Sequence, residues 1–112
     1  MKFKNKTVKG VTVIELSGNV MGGPDATALN EQIHHHLDAG VRKVVIDLGD
    51  VKFVNSSGLG MLIGSMTTMR NAGGELKLAA ASKKVVELIE VTRLHRVFDM
   101  HPTVAAAVAA FQ

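Results

Sequence analysis

Val44-Val45-Ile46-Asp47-Leu48-Gly49-Asp50-Val51-Lys52-Phe53-Val54-Asn55-Ser56-Ser57-Gly58-Leu59-Gly60 is the stretch that decides the fold. It opens as a near-continuous apolar run rich in β-branched residues, the pattern of a strand buried on both faces, and ends in a small polar turn that opens a helical pattern. Ser56 and Ser57 therefore stand where a strand hands over to a helix. A hydroxyl at such a junction can accept a hydrogen bond from a backbone N–H two or three residues on, so helix capping is the purely structural reading of this pair.

The helix that follows has two unlike sides. At about 100° per residue, Leu59, Leu62, Ile63, Met66, Met69 and the stem of Arg70 share the side expected to pack inward. Ser57, Gly60, Met61, Gly64, Thr67 and Thr68 share the other, and none of them is charged. A solvated helix face ordinarily carries Lys, Glu or Gln, and each mid-helix glycine costs about 1 kcal/mol relative to alanine. Close approach by something explains both facts. Either another element of the same domain covers the glycines, or the face is a docking surface on which Met61 is an adaptable apolar contact.

Asp47-Leu48, then Val51, Phe53 and Val54, then Asn55-Ser56-Ser57-Gly58-Leu59-Gly60, resemble the signature of the STAS domains, specifically the anti-sigma factor antagonists of bacteria. Gly73-Gly74, the strand Glu75–Ala79, and the helix with Val85, Leu88 and Ile89 running on to Leu94, Val97 and Phe98 are similar to that family too, so the resemblance spans nearly the whole chain. It implies that Ser56 is the serine phosphorylated by a partner kinase, with Ser57 the second choice. Two departures stand out. Asn55 replaces the Asp usual in the family, keeping shape and capping ability but removing a charge, and Val20-Met21-Gly22-Gly23-Pro24-Asp25 has more glycines than many relatives. The family's equivalent loop lies near the phosphorylated serine, which makes Met21 and Asp25 further candidates.

Outward from this centre the chain reads as one α/β domain over residues 1–112. Residues 2–9 and Val11–Gly18 alternate around Gly10 as a hairpin, with lysines marking an edge, and the hairpin makes the sheet mixed. Gly18 to Pro24 is a turn-rich loop without the spacing of a phosphate-binding loop, and Pro24 or Asp25 falls in the first turn of a helix. Ala26, Leu29, Ile33 and Leu37 form that helix's inward stripe, which stops at Ala39-Gly40. Its His34-His35-His36 run points three ways at helical spacing, so no metal site is expected there. Asn71–Gly74 ends the central helix, Leu76–Ala79 is a strand, and Ser82 caps a helix with Val85, Leu88 and Ile89 inward. Val97-Phe98 reads as a short edge strand, and Pro102 as the first residue of a last helix carrying Val104, Val108 and Phe111. Four to five strands and about four helices, packed mainly on one face, are expected.

Composition narrows the function. Hydrophobic residues make up 46% and charged residues 21%, a globular balance, and the net charge of +3 is modest. With no Tyr or Trp, four Phe and scattered lysines, nucleic-acid binding lacks both stacking platforms and a basic stripe. The absence of cysteine removes disulfides and thiolate metal sites and suits the cytoplasm. No signal peptide and no apolar window of about 18 residues is evident, so no membrane span is expected. Neither serine sits in a Gly-x-Ser-x-Gly elbow, because Val54 and Asn55 occupy the positions two before them, and enzymatic catalysis is not expected.

The resemblance implies a switch. The unphosphorylated form binds an anti-sigma factor that is a serine kinase, the kinase inactivates it at Ser56, and a serine phosphatase acts transiently to reset it. ATP belongs to the kinase, so no cofactor is expected. The residues expected to meet the partner are Met21, Asp25, Asn55, Ser56, Ser57, Gly58, Gly60, Met61 and Gly64. The alternative is a STAS scaffold or sensor module that is never phosphorylated, for which Asn55 is the hint.

Overall fold

The apolar run beginning at Val44 forms the middle strand of a five-stranded sheet in the computed structural model, which describes all 112 residues. Strands β1 (Lys2–Val8) and β2 (Val11–Val20) form the expected hairpin. Its two-residue turn holds Lys9 at φ 50° and Gly10 at φ 80°, the left-handed pair whose twist matches that of the flanking strands. Lys2, Lys4 and Lys6 lie exposed along β1, one open edge of the sheet, and charges there discourage pairing with another chain.

Three crossover units follow. Helix α1 (Pro24–Asp38) leads to β3 (Lys43–Val54), α2 (Ser56–Asn71) to β4 (Glu75–Ala79), and α3 (Lys83–Val91) through a short 3₁₀ turn to β5 (Asp99–His101). The spatial order is β1-β2-β3-β4-β5, antiparallel for the first pair and parallel for the rest. Because parallel crossovers are right-handed, a strand order that never reverses sends every crossover helix to the same face.

Burial follows that topology. Ile14, Leu16, Val44, Ile46 and Leu48 face the three helices in the main core, joined by Leu29 and Ile33 of α1 and by Val85 and Ile89 of α3. Fully burying an aliphatic side chain of this size contributes about 1.5–3 kcal/mol. The alternate residues Val11, Val13, Val45 and Ala79 point to the opposite face, where Ala107 and Val108 of helix α4 (Val104–Ala109) cover them. Three helices on one face and one on the other match the expected arrangement.

Two boundaries differ from the sequence reading. The last strand is Asp99–His101 and not Val97-Phe98; Phe98 is buried in the core and Val97 lies outside the strand. Pro102 precedes the last helix, which Thr103 caps through its hydroxyl, accepting from Ala106 N–H at 3.0 Å. Lys77 of β4 engages the observed last strand at its first residue, Asp99. Its buried ammonium donates to Glu75 at 2.7 Å and to Asp99, and lies 4.7 Å from the ring centre of Phe111. Burial opposes the charge, yet these hydrogen bonds outweigh it and raise the Lys77 pKa, while the Lys77 ammonium holds Asp99 below the usual carboxylate range. A polar segment thereby becomes the edge strand.

Candidate functional site

Val20 and Val54 pair across β2 and β3, so the loop after β2 and the start of α2 emerge side by side at the same end of the sheet. A backbone hydrogen bond from Asn55 N–H to Val20 O, at 3.3 Å, ties the two exits together. Gly58 then passes directly beneath that carbonyl: a methyl group there would stand 2.0 Å from Val20 O. Gly22, buried and at φ 80°, closes the loop against α2, since a methyl group on it would come 2.7 Å from Ser57 Cβ. Only glycine permits either approach.

Neither serine caps the helix. The cap is Asn55, whose side-chain oxygen accepts from Gly58 N–H at 2.7 Å, while Ser56 begins the helix proper. An amide oxygen fills this role as well as a hydroxyl does, and it sits one residue earlier, where the backbone is still extended. Both serines are exposed, and neither hydroxyl has a protein hydrogen-bond partner. The first turn of α2 contains no acidic residue, which leaves the positive end of the helix dipole uncompensated.

The remaining expected contact residues divide into two groups. Gly60 and Gly64 lie on the exposed arc of α2 with Ser56, Ser57 and Thr67, and a methyl group on either glycine would meet nothing within 4 Å. No other element of the chain covers them. Met61 and Gly58, in contrast, are buried, which corrects their placement on a docking surface. α1 packs alongside α2, so α2 is covered on a flank as well as from beneath. Met61 joins the main core, and Ser65 is buried with its hydroxyl donating to Met61 O at 3.0 Å. Ile63, expected inward, is half-buried at the margin of that core.

Two exposed apolar side chains flank the serines. Met21, on the loop after β2, is 43% exposed, and Phe53, next to last in β3, is 51% exposed. A register shift at the end of β3, where Gly18 pairs with Val51 but Asn19 with Phe53, makes Lys52 an extra residue and turns Phe53 outward between the buried Val51 and Val54, which strict alternation does not predict. Asp25 stands in the first turn of α1 with its carboxylate 3.8 Å from the amino group of Met1. The histidines of α1 lie elsewhere; His36 approaches Asn5 Oδ1 at 3.4 Å, and burial, followed by its neighbour His35, lowers its pKa. No group of three His, Cys, Asp or Glu side chains is placed to hold a metal ion, and no helix is long and apolar enough to cross a membrane.

The STAS domain family model matches residues 2–107. This chain belongs to the STAS domain family. The STAS chain is 30% identical over 112 residues to BtrV of Bordetella bronchiseptica, assigned as an anti-sigma factor antagonist, with 100% of this chain and 96% of that protein covered. Its backbone is similar to that of an anti-sigma factor antagonist from Thermotoga maritima, with a TM-score of 0.85 at 22% identity, covering 96% of this chain and 92% of the other. It is also similar to the Bacillus cell fate determinant SpoIIAA in its phosphorylated form, with a TM-score of 0.73 at 18% identity, covering 99% and 100%. At those identities the two structures establish the shared fold.

Proposed function

We propose that this STAS protein is an anti-sigma factor antagonist controlled by phosphorylation of Ser56. In the unmodified state the exposed arc of α2, with Ser56, Ser57, Gly60 and Gly64, receives an anti-sigma factor that is itself a serine kinase, and a sigma factor is freed. Met21, Asp25 and the Asn55 turn border the same surface. The observation that carries this reading is a helix face, uncharged from Ser56 to Thr67 before the exposed Arg70 of the last turn, left uncovered by its own chain and with a free serine hydroxyl at its start.

Phosphorylation adds about −1.5 to −2 charges and three acceptor oxygens at that point. Ser56 makes no hydrogen bond that the phosphate would break, and the helix N-terminus favours an anion, so the fold tolerates the change. A partner seated over the site must instead desolvate the new charge, at a cost of several kcal/mol. A coupling of about 3 kcal/mol already weakens binding more than a hundredfold. That SpoIIAA, with the same fold, exists in a phosphorylated form supports the compatibility of the fold with the modification. A phosphatase completes the cycle, and the chain itself carries out no catalysis. In line with that role, the sheet order has no reversal point, the place where open α/β sheets form ligand crevices.

Asn55 favours a second reading, in which the chain is a scaffold or sensor module that is never modified. Phosphosite mapping by mass spectrometry on the protein from its own cells, with partners co-purified from the same sample, separates the two. Phosphate on Ser56 and a kinase found only with the unmodified pool are the expected results. An unmodified chain that still retains stable partners moves the scaffold reading forward.

A further inference from the structure

Ser56 shares a groove with two lysines. The groove runs between the end of β3 and the first turns of α3, measures about 490 Å³, and is lined by Lys52, Phe53, Asn55, Ser56, Lys84 and Leu88 among others. Lys52 and Lys84 are its only charged lining groups. Neither forms an ion pair anywhere in the molecule, whereas Lys6 and Lys77 both do. Glu87, the next acidic residue along α3, does not line the groove, and Asp25 is paired with the amino group of Met1. The first turn of α2 contributes no negative charge either. Two lysines without an ion pair and the positive end of a helix thus border the groove that Ser56 lines, with Glu87, one turn along α3 from Lys84, the acidic neighbour outside it, an arrangement that favours an anion on Ser56.

We infer that Lys84, aided by Lys52, is the intramolecular receptor for a phosphate carried on Ser56. The inference rests on Ser56 being the modified residue. A phosphoserine extends three acceptor oxygens beyond Oγ, and the four-carbon stem of a lysine lets its ammonium swing to meet them as a point charge. The cations favour the dianion over the monoanion, so the second pKa of the phosphate falls below its usual value of about 6. They also turn the phosphate towards the groove and slow its removal by a phosphatase.

The test uses the full chain with phosphoserine installed at position 56 during synthesis, titrated by ³¹P NMR at low salt. Lys84→Gln is expected to raise the phosphate midpoint by about half a pH unit. Lys52→Gln is expected to raise it less, and Lys84→Arg, which keeps the charge, to hold the wild-type midpoint. Lys83→Gln removes the same charge from a neighbour outside the groove and is expected to leave the midpoint in place. An unchanged midpoint in Lys84→Gln overturns the inference, and so does an equal shift in Lys83→Gln, because charge anywhere on α3 would then suffice. Failure of the switch itself is read separately, by an unmodified Ser56 in protein from its own cells; the installed phosphate reports on the lysines in either case.

Discussion

Gly58, Gly60 and Gly64 lie within two turns of one helix, yet only the first is required by the fold. A methyl group on Gly58 would press on Val20 O at 2.0 Å, so Gly58→Ala must push α2 off β2 and is expected to cost about 3 kcal/mol, read as a lower urea midpoint. Gly60→Ala meets open space and gains helix propensity; stability should rise by about 1 kcal/mol, and the thermal midpoint with it. If α2 docks a partner, the same methyl group weakens that binding, so Gly60→Ala is expected to be more stable and less active. Equal partner affinity with raised stability would remove Gly60 from the docking face. The sequence marked all three glycines but could not rank them. Which one faces a carbonyl depends on the angle at which α2 leaves β3, and the Asn55–Val20 hydrogen bond fixes that angle across two strands. Met61 was misread for a related reason: a helical wheel divides a helix into two halves, while α1 flanks α2 and widens its buried arc.

Among the elements, the start of α2 and the last strand depend most on single polar contacts. Removing the Asn55 cap by Asn55→Ala is expected to cost about 1 kcal/mol in chemical denaturation. Asn55→Asp keeps an acceptor for Gly58 N–H and adds a charge that the helix terminus favours, so its stability should equal or exceed that of wild type. The last strand is held by Lys77 and Asp99. The hydrogen bond from Lys77 depresses the Asp99 pKa, so its contribution is complete above the ordinary carboxylate value of about 3.9 and is lost as pH falls through the lower folded value. Asp99→Asn should therefore be less stable than wild type at neutral pH, by about 1 kcal/mol or less given the exposure of the carboxylate, with the difference closing towards pH 2. A constant difference across that range would show that the pair contributes through packing alone. Local pattern could not reveal β5, because Val97-Phe98 has the strand-like composition and Asp99-Met100-His101 has the partner.

At the scale of the whole molecule, the repeating order of strand and helix was legible because apolar runs and amphipathic stripes alternate cleanly from Val11 to Ile89. That order alone brings Met21, Asn55 and Ser56 to one end of the sheet, since adjacent parallel strands deliver their exits together. Ser56, the proposed modification site, thus lies on the rim of a core of which it is no part. Ser56 is exposed and its hydroxyl unbonded, so Ser56→Asp breaks no contact and adds a carboxylate where the helix dipole favours one. Its thermal midpoint should stay within about 2 °C of wild type, as expected for a surface substitution. Partner affinity should nonetheless fall at least tenfold, because the partner must desolvate that charge, while Ser56→Ala binds like the unmodified chain and cannot be switched off. Calorimetry and a pull-down on the same preparations decide the point. A Ser56→Asp chain that melts as wild type and binds as wild type would place the docking surface away from the start of α2.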